Sequence, residues 1–267
     1  MDKNQFGKTS KFFIKAVKRE EKTILDDVYF TSPYKVMKPF EHQDGSIQVM
    51  LLSASAGIME GDRQDFDFEI ECGADFEFVS QSYDKIHKMK TGCAKRNTKI
   101  YVQGGAKFRF NPQPTIPFQD SAFESRMEVE LEDETAQFLM NEILSCGRAA
   151  RGEQFLYRHY YNLVEIRRAG TLIYRDNTRY EPAHFDMNGF GMYESYTHLA
   201  NIFFTKKDNM SDLTADIVQL MEETLEIEGG ITTLASGDCA VRIFGRRAQK
   251  LEALCKTITE LWNQSER

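Results

Sequence analysis

The sequence predicts a mainly β fold: a layered or helical arrangement of short strands, a β-helix-like body, carrying a C-terminal β-α-β-β-α subdomain with two helices. Three observations predict it. A short phrase recurs, as GADFEFVSQ at 73–81, GAKFRFNPQ at 105–113 and, blurred, TAQFLMNE at 135–142. Each copy follows a second strand-like segment, Asp65–Glu71, Thr98–Val102 and Met127–Leu131, so each unit is a pair of strands about thirty residues long. From residue 198 onward the spacing of apolar residues becomes helical.

The elements follow in chain order. Phe12–Val17, Ile24–Phe30 and Ile47–Leu52 alternate or run apolar as strands do. In the repeat, Phe76 and Phe78, Phe108 and Phe110, and Phe138 and Met140 occupy matching alternate positions, with Glu77, Arg109 and Leu139 between them. One face is apolar and one polar in the first two copies, and both are apolar in the third. A Gly-Ala pair opens the first two copies, where a strand must leave a turn tightly. Pro112, Pro114 and Pro117 predict a stiff loop without regular structure. Strands at Tyr160–Arg167 and Thr171–Tyr174 are joined by a turn at Arg168–Gly170.

The last unit opens with a strand at His198–Thr205. Ser211 is placed as the N-cap of a helix whose apolar face is Leu213, Ile217, Leu220, Met221 and Leu225, ended by Gly229-Gly230. ITTLAS and CAVRIF, parted by Gly237-Asp238, read as a hairpin, and Leu251, Leu254, Cys255, Ile258, Leu261 and Trp262 form the stripe of a final helix. No linker rich in Pro, Ser or charge intervenes, so residues 1–197 are expected to form the β body and 198–267 a subdomain packed on it.

The chain has 267 residues, 41% of them hydrophobic, enough for a substantial core without a disulfide or metal staple. Lys and Arg number 34 against 41 Asp and Glu, a formal charge of −7, which argues against nucleic acid or an anionic membrane as principal partner. No segment has the length and apolarity of a membrane span, and MDKNQFGKTSKFFIK lacks a signal-peptide core, so a cytoplasmic location is expected. Cys72, Cys93, Cys146, Cys239 and Cys255 form no CxxC pair and read as reduced, small buried hydrophobes. His42, His87, His159, His184 and His198 show no pair at metal-ligand spacing. GxxxxGK[ST], GxGxxG after a strand, HExxH and GxSxG are all missing, so no standard catalytic machinery is predicted.

Three stretches are unusual for filler. AGIMEGDRQD at 56–65 turns on two glycines, Gly57 and Gly61, and ends in Asp62 and Arg63. Its Asp62 suits either a turn cap or a binding role. SQSYDKIHK at 80–88 gathers Ser82, Asp84, Lys85 and His87, as a solvated loop or a functional one would. NEILSCGRAARGE at 141–153 sets Glu142, Arg148, Arg151 and Glu153 around Gly147 and Gly152, which an Arg-carboxylate network bracing two turns also explains. Each lies beside or after a repeat strand, so in a layered body they can share one side.

With PQPTIPF at 112–118, these stretches carry a resemblance. MEGD (59–62), SQSYDKIHK (80–88), PQPTIPF and GRAARGE (147–153) stand in the order and separation of the motifs of the urease accessory proteins called D in many bacteria and H in others. The likeness runs from about residue 24 to the final helix, and it is the four motifs together that are specific. Glu60 stands where the family usually has glycine, and YDKIHK lacks the usual Thr, as in the variant found in gastric bacteria. The resemblance implies a mostly β fold of helical strand layers with two helices, and a scaffold rather than an enzyme. The implied partners are apo-urease, accessory protein F and, through F, the GTPase G. No tightly bound cofactor is implied, but transient Ni²⁺ is, on an internal path into urease.

A relay must release its ion, which favours carboxylates, carbonyls and water over thiolate clusters. Asp62, Asp84, Glu142 and Glu153 beside the repeats are the expected nickel-path residues, and Gly61, Asp62, Ser82, Lys85, Gly147, Arg148, Gly152 and Glu153 the motif residues for structure or partner binding. The same carboxylates also suit a protein that touches no metal. The alternatives are a layered-β carbohydrate-active enzyme using paired carboxylates, or a carbohydrate- or protein-binding module.

Overall fold

Alternation of apolar and polar residues sets which way each side chain points, and the thirty-residue repeat brings strands of equal phase side by side. The computed structural model describes residues 9–265; the first eight residues of the N-terminal stretch that lacks a signal-peptide core lie outside them. β1 (Thr9–Arg19) and β2 (Lys22–Phe30) form a hairpin, followed by the short β3 (Tyr34–Val36) and β4 (Phe40–Glu41) and by β5 (Ile47–Ser53). The first repeat unit is β6 (Arg63–Ile70) with β7 (Asp75–Ser80), and β8 (Asp84–Ile86) trails it. The second is β9 (Ala94–Val102) with β10 (Lys107–Asn111), trailed by β11 (Thr115–Pro117). The third is β12 (Ala122–Leu131) with β13 (Gln137–Ser145), before the hairpin β14 (His159–Arg168) and β15 (Thr171–Tyr180). The chain ends in β16 (His198–Phe204), α1 (Met210–Glu223), β17 (Ile227–Thr233), β18 (Cys239–Gly245) and α2 (Ala248–Gln264).

The fold is mainly β, as predicted, with two mixed sheets. The first strands of the units lie in a seven-stranded sheet ordered β15-β14-β12-β9-β6-β1-β2, parallel from β14 to β1. The repeated phrases lie in an eleven-stranded sheet, where β13, β10, β7 and β5 run parallel. The register follows the repeat residue for residue: Phe76, Phe108 and Phe138 are neighbours, as are Phe78, Phe110 and Met140. Phe76 stacks on Phe108 with ring centres 5.1 Å apart, and Phe78 on Phe110 at 5.2 Å. Across the core stands the other sheet's ladder, Ile14, Phe68, Ile100, Val129 and Ile166, all buried. Ala74, Ala106 and Ala136 fill the buried corners between a unit's two strands, and Gly73 and Gly105 just before the first two take φ of +76° and +72°, where a side chain is disfavoured.

The third copy is apolar on both faces because its outer face is also covered. Leu139 is buried with Ile202, Val241, Leu213, Ile217, Leu254 and Trp262 in a second core beneath α1 and α2. β16 pairs antiparallel with β13, so the C-terminal strands extend the same sheet.

Several local expectations are corrected. Helix α1 begins at Met210 with Asn209 as N-cap, not Ser211, because Met210 packs on the second core. It ends at Glu223, and Leu225 is left exposed beyond it. Gly229 and Gly230 do not stop the helix; they lie in β17, and a side chain at Gly229 would come within 2.7 Å of the Arg242 carbonyl. The proline-rich segment includes a strand, β11, because its prolines supply acceptors: Asp84 N–H donates to Pro114 O at 3.0 Å. Arg168 is no turn residue but the last of β14. Of the cysteines, Cys146, Cys239 and Cys255 are buried, whereas Cys72 is exposed. Among the described residues no helix is long and apolar enough to cross a membrane.

Candidate functional site

At one end of the strands a third, short ladder gathers the four motif stretches. Ile58 bridges to Ile86, β8 pairs with β11, and Thr115 pairs with Leu144. Ile58 N–H donates to Lys85 O at 2.8 Å, and His87 N–H returns to Ile58 O at 2.9 Å. Gly147, at φ +134°, lets the chain after β13 pass so close that a side chain there would sit 2.6 Å from Glu153 O and 3.3 Å from Pro117 O. Arg148 then grips Glu153 with two hydrogen bonds, one of 2.7 Å from Nε, and lies 4.0 Å above the Phe118 ring. Gly152 closes the intervening 3-10 turn at Ala149–Arg151 in the left-handed conformation. Glu153 is thus engaged as a brace. Asp62 holds the first turn, accepting from Met59 N–H at 2.7 Å, with Gly61 at φ +82° between them.

Two cavities meet behind this ladder. The outer, about 570 Å³, is bordered by Asp62, Ser82, Asp84 and Lys85. The inner, about 30 Å³, lies between the sheets and is bordered by Asp84, Arg96, Glu142, Tyr160, Asn162 and Asn201. Asp84, Arg96, Phe110 and Pro112 line both, and the Arg96 to Asp84 ion pair of 2.7 Å stands at their junction. The inner space holds about two waters by volume. Glu142 accepts from Asn162 Nδ2 at 2.9 Å, but burial pushes its carboxyl above the usual range. Asn162 Oδ1 and Asn201 Oδ1 are buried acceptors with no donor within the protein, as a cation or water would require. Asp62 and Asp84 therefore border the outer cavity and Asp84 and Glu142 the adjoining inner one, and Glu153 borders neither.

Glu60 accepts from the backbone N–H groups of Lys90, Thr91 and Gly92, which holds its carboxyl down to about 2. A glycine here would leave that 90–92 turn without its anion. The contribution of Glu60 to folding is present above the ordinary carboxyl range and fades as pH falls from about 4.5 towards about 2. NMR titration is expected to find the Glu60 midpoint near 2, and Glu60→Gln to expose the three amides to hydrogen exchange while leaving β9 protected. A midpoint near 4.5 sinks this reading.

Arg96, Asn162 and Asn201 were not singled out from the sequence. Arg96 could have been: it shares the inward phase of Ile100 and Val102 in β9, which extends to Ala94 rather than starting at Thr98. The fold also brings together Cys93, Glu124 and His159, which no sequence spacing linked.

The chain matches the family described as UreD urease accessory protein over residues 9–267. It is 37% identical over 260 residues to a urease accessory protein UreD of Acetivibrio thermocellus, covering 97% of this chain and 99% of the relative. To a urease accessory protein UreH of Helicobacter pylori strain G27 it is 31% identical over 263 residues, 98% of each. To a urease accessory protein UreD of Flavobacterium johnsoniae it is 28% identical over 254 residues, 93% of this chain and 91% of the relative.

Proposed function

The chain belongs to the UreD family of urease accessory proteins, and from that premise we propose that it is a maturation scaffold for urease whose interior passes Ni²⁺ as cargo. It binds apo-urease and accessory protein F, and through F the GTPase G. Support for a docking role comes from exposed aromatic and aliphatic side chains, Tyr29 and Phe40 on one flank and Phe185 and Phe190 in the segment before β16.

The observation that carries the passage is the pair of adjoining cavities that share Asp84, the outer bordered by Asp62 and the inner by Glu142. Its donors are carboxylate and amide oxygens, which suit an ion that must move on. The 2.7 Å ion pair with Arg96 holds Asp84 at the junction of the cavities. Glu142 borders the inner end, where the unpartnered amide oxygens of Asn162 and Asn201 offer further oxygen ligands.

In a reconstituted mixture of apo-urease, F, G, GTP and nickel, Glu142→Gln is expected to lower urease activation by about tenfold or more, the size typical of losing one group at a metal site. Co-purification with F is expected to survive. Full activation by Glu142→Gln and by Asp84→Asn would remove the passage but leave the scaffold; failure of the wild type to bind F or urease would remove the scaffold itself. Because burial raises the Glu142 carboxyl, its charge costs stability at neutral pH and not below the ordinary carboxyl range. Glu142→Gln should therefore unfold no earlier than the wild type at pH 7, which separates lost passage from lost fold.

A further inference from the structure

On the outer face of the seven-stranded sheet, turned away from the inner cavity, three donor groups converge that the maturation reading does not use. Glu124 follows the inward-facing Phe123 in β12 and so points outward. Cys93 immediately precedes β9, and His159 opens β14. Cys93 Sγ is 3.6 Å and His159 Nε2 3.8 Å from Glu124 Oε1, and all three donors lie within 4.8 Å of one another. Ligands at the usual 2.0–2.3 Å from a tetrahedral zinc stand about 3.3–3.8 Å apart. Two edges of such a tetrahedron already have that length, and the third needs to close by no more than about 1.5 Å.

The surroundings favour a cation. His159 Nε2 is buried, and nothing within hydrogen-bond distance satisfies it. The other carboxyl oxygen of Glu124 is held by Lys95 Nζ at 2.6 Å, which orients the ligand from outside the site as supporting groups of metal centres do. Arg158, the other nearby cation, is turned away onto the carbonyls of Lys90 and Gly92. That contact and Glu60 clamp the turn leading into Cys93 from both sides, so the thiol is delivered to a fixed place. Tyr161 stacks on the His159 ring at 4.6 Å.

The geometry points to a zinc-type divalent cation site formed by Cys93, Glu124 and His159, with its fourth position open to water. On binding, the Cys93 thiol gives up its proton to solvent and its sulfur ligates the metal. No electron moves. A thiolate-imidazole-carboxylate set holds such an ion tightly, in contrast to the oxygen donors of the interior space. The site is therefore a clip across the starts of β9, β12 and β14, and it stands whether or not nickel passes through the interior.

The full chain, stripped with a chelator, is titrated with Zn²⁺ against a chromophoric competitor and separately with Co²⁺ as an optical probe. One tight equivalent is expected, with thiolate-to-cobalt charge-transfer absorption. Cys93→Ser and His159→Gln should weaken zinc by about 10–100-fold or more. Cys72→Ser, which alters an exposed thiol elsewhere, should not. Zinc should raise the Tm of the wild type and not of Cys93→Ser. Zinc affinity unchanged in Cys93→Ser overturns the site. Should that variant fail to fold, the wild type decides alone, because absence of the charge-transfer band also overturns it.

Discussion

Asp238→Ala is expected to lower the unfolding free energy by about 3–5 kcal/mol, the cost of stranding one partner of a buried ion pair. Asp238 is wholly enclosed at the β17–β18 turn and accepts from Arg168 Nη1 at 3.0 Å and Nη2 at 2.8 Å. Its oxygens also take the Lys206 N–H at 2.9 Å and the Ser236 hydroxyl at 2.6 Å. Arg168 is the last residue of an inward-facing row that otherwise reads Ala16, Ile70, Val102 and Leu131, so its guanidinium has almost no water to turn to. Removing the carboxylate leaves that charge between the two sheets with only the exposed Glu134 carboxylate, 3.5 Å from Nη1, as a partner, and the midpoint of thermal unfolding should fall by about 10 °C. The double variant Arg168→Met with Asp238→Leu should recover part of the loss, because no buried charge is then left unpaired, while the Lys206 N–H and the Ser236 hydroxyl still lose their acceptor. A single variant within 1 kcal/mol of the wild type would falsify the joint. The pair lies at the far end of β14 from Asn162, so nickel-dependent activation by surviving folded protein should be unchanged.

Phe108→Ala should cost a similar amount, about 3–5 kcal/mol, for a different reason: it opens a cavity where rings from both sheets meet. Phe108 is fully buried and stacks on Phe76, with Phe68 at 5.3 Å across the core and Phe138 at 5.9 Å along the ladder. Ring pairs of this kind add about 0.5–1.5 kcal/mol beyond area, and one substitution removes several of them. Phe108→Leu should lose clearly less. Lys99→Ala, on the solvent face of β9, should stay within about 0.5 kcal/mol and serves as the control. Denaturant midpoints at constant slope measure all three. If alanine and leucine at 108 prove equivalent, ring stacking is not what holds the units together.

The repeat was legible because it is local. Phe76, Phe108 and Phe138 announce one face by alternation and one rung by spacing, and the ladder pairs them as written. Leu139, apolar where Glu77 and Arg109 are polar, even signals the second core. Glu142 continues the inward phase of Phe138 and Met140 within β13, so its place in the interior followed from that alternation. The short strands β8 and β11 were not legible, because three residues carry no period and Pro117 argues against pairing. Cys93 and His159 gave no spacing signal, since they meet only because β12 lies between β9 and β14.

The sequence by itself determined the strand pairs, their phase, the late change to helices and the family to which the motifs belong. Each of these depends on which way neighbouring residues point, and the pleat and the helical turn settle that within a few positions. The tertiary structure alone decided that Arg168 meets Asp238, that Asp62, Asp84 and Glu142 border two adjoining cavities, and that a thiol, a carboxylate and an imidazole converge on the outer face. Those encounters depend on which strands lie side by side and where the ends of the ladders come to rest. Long-range pairing of the whole chain fixes that, and no local period encodes it.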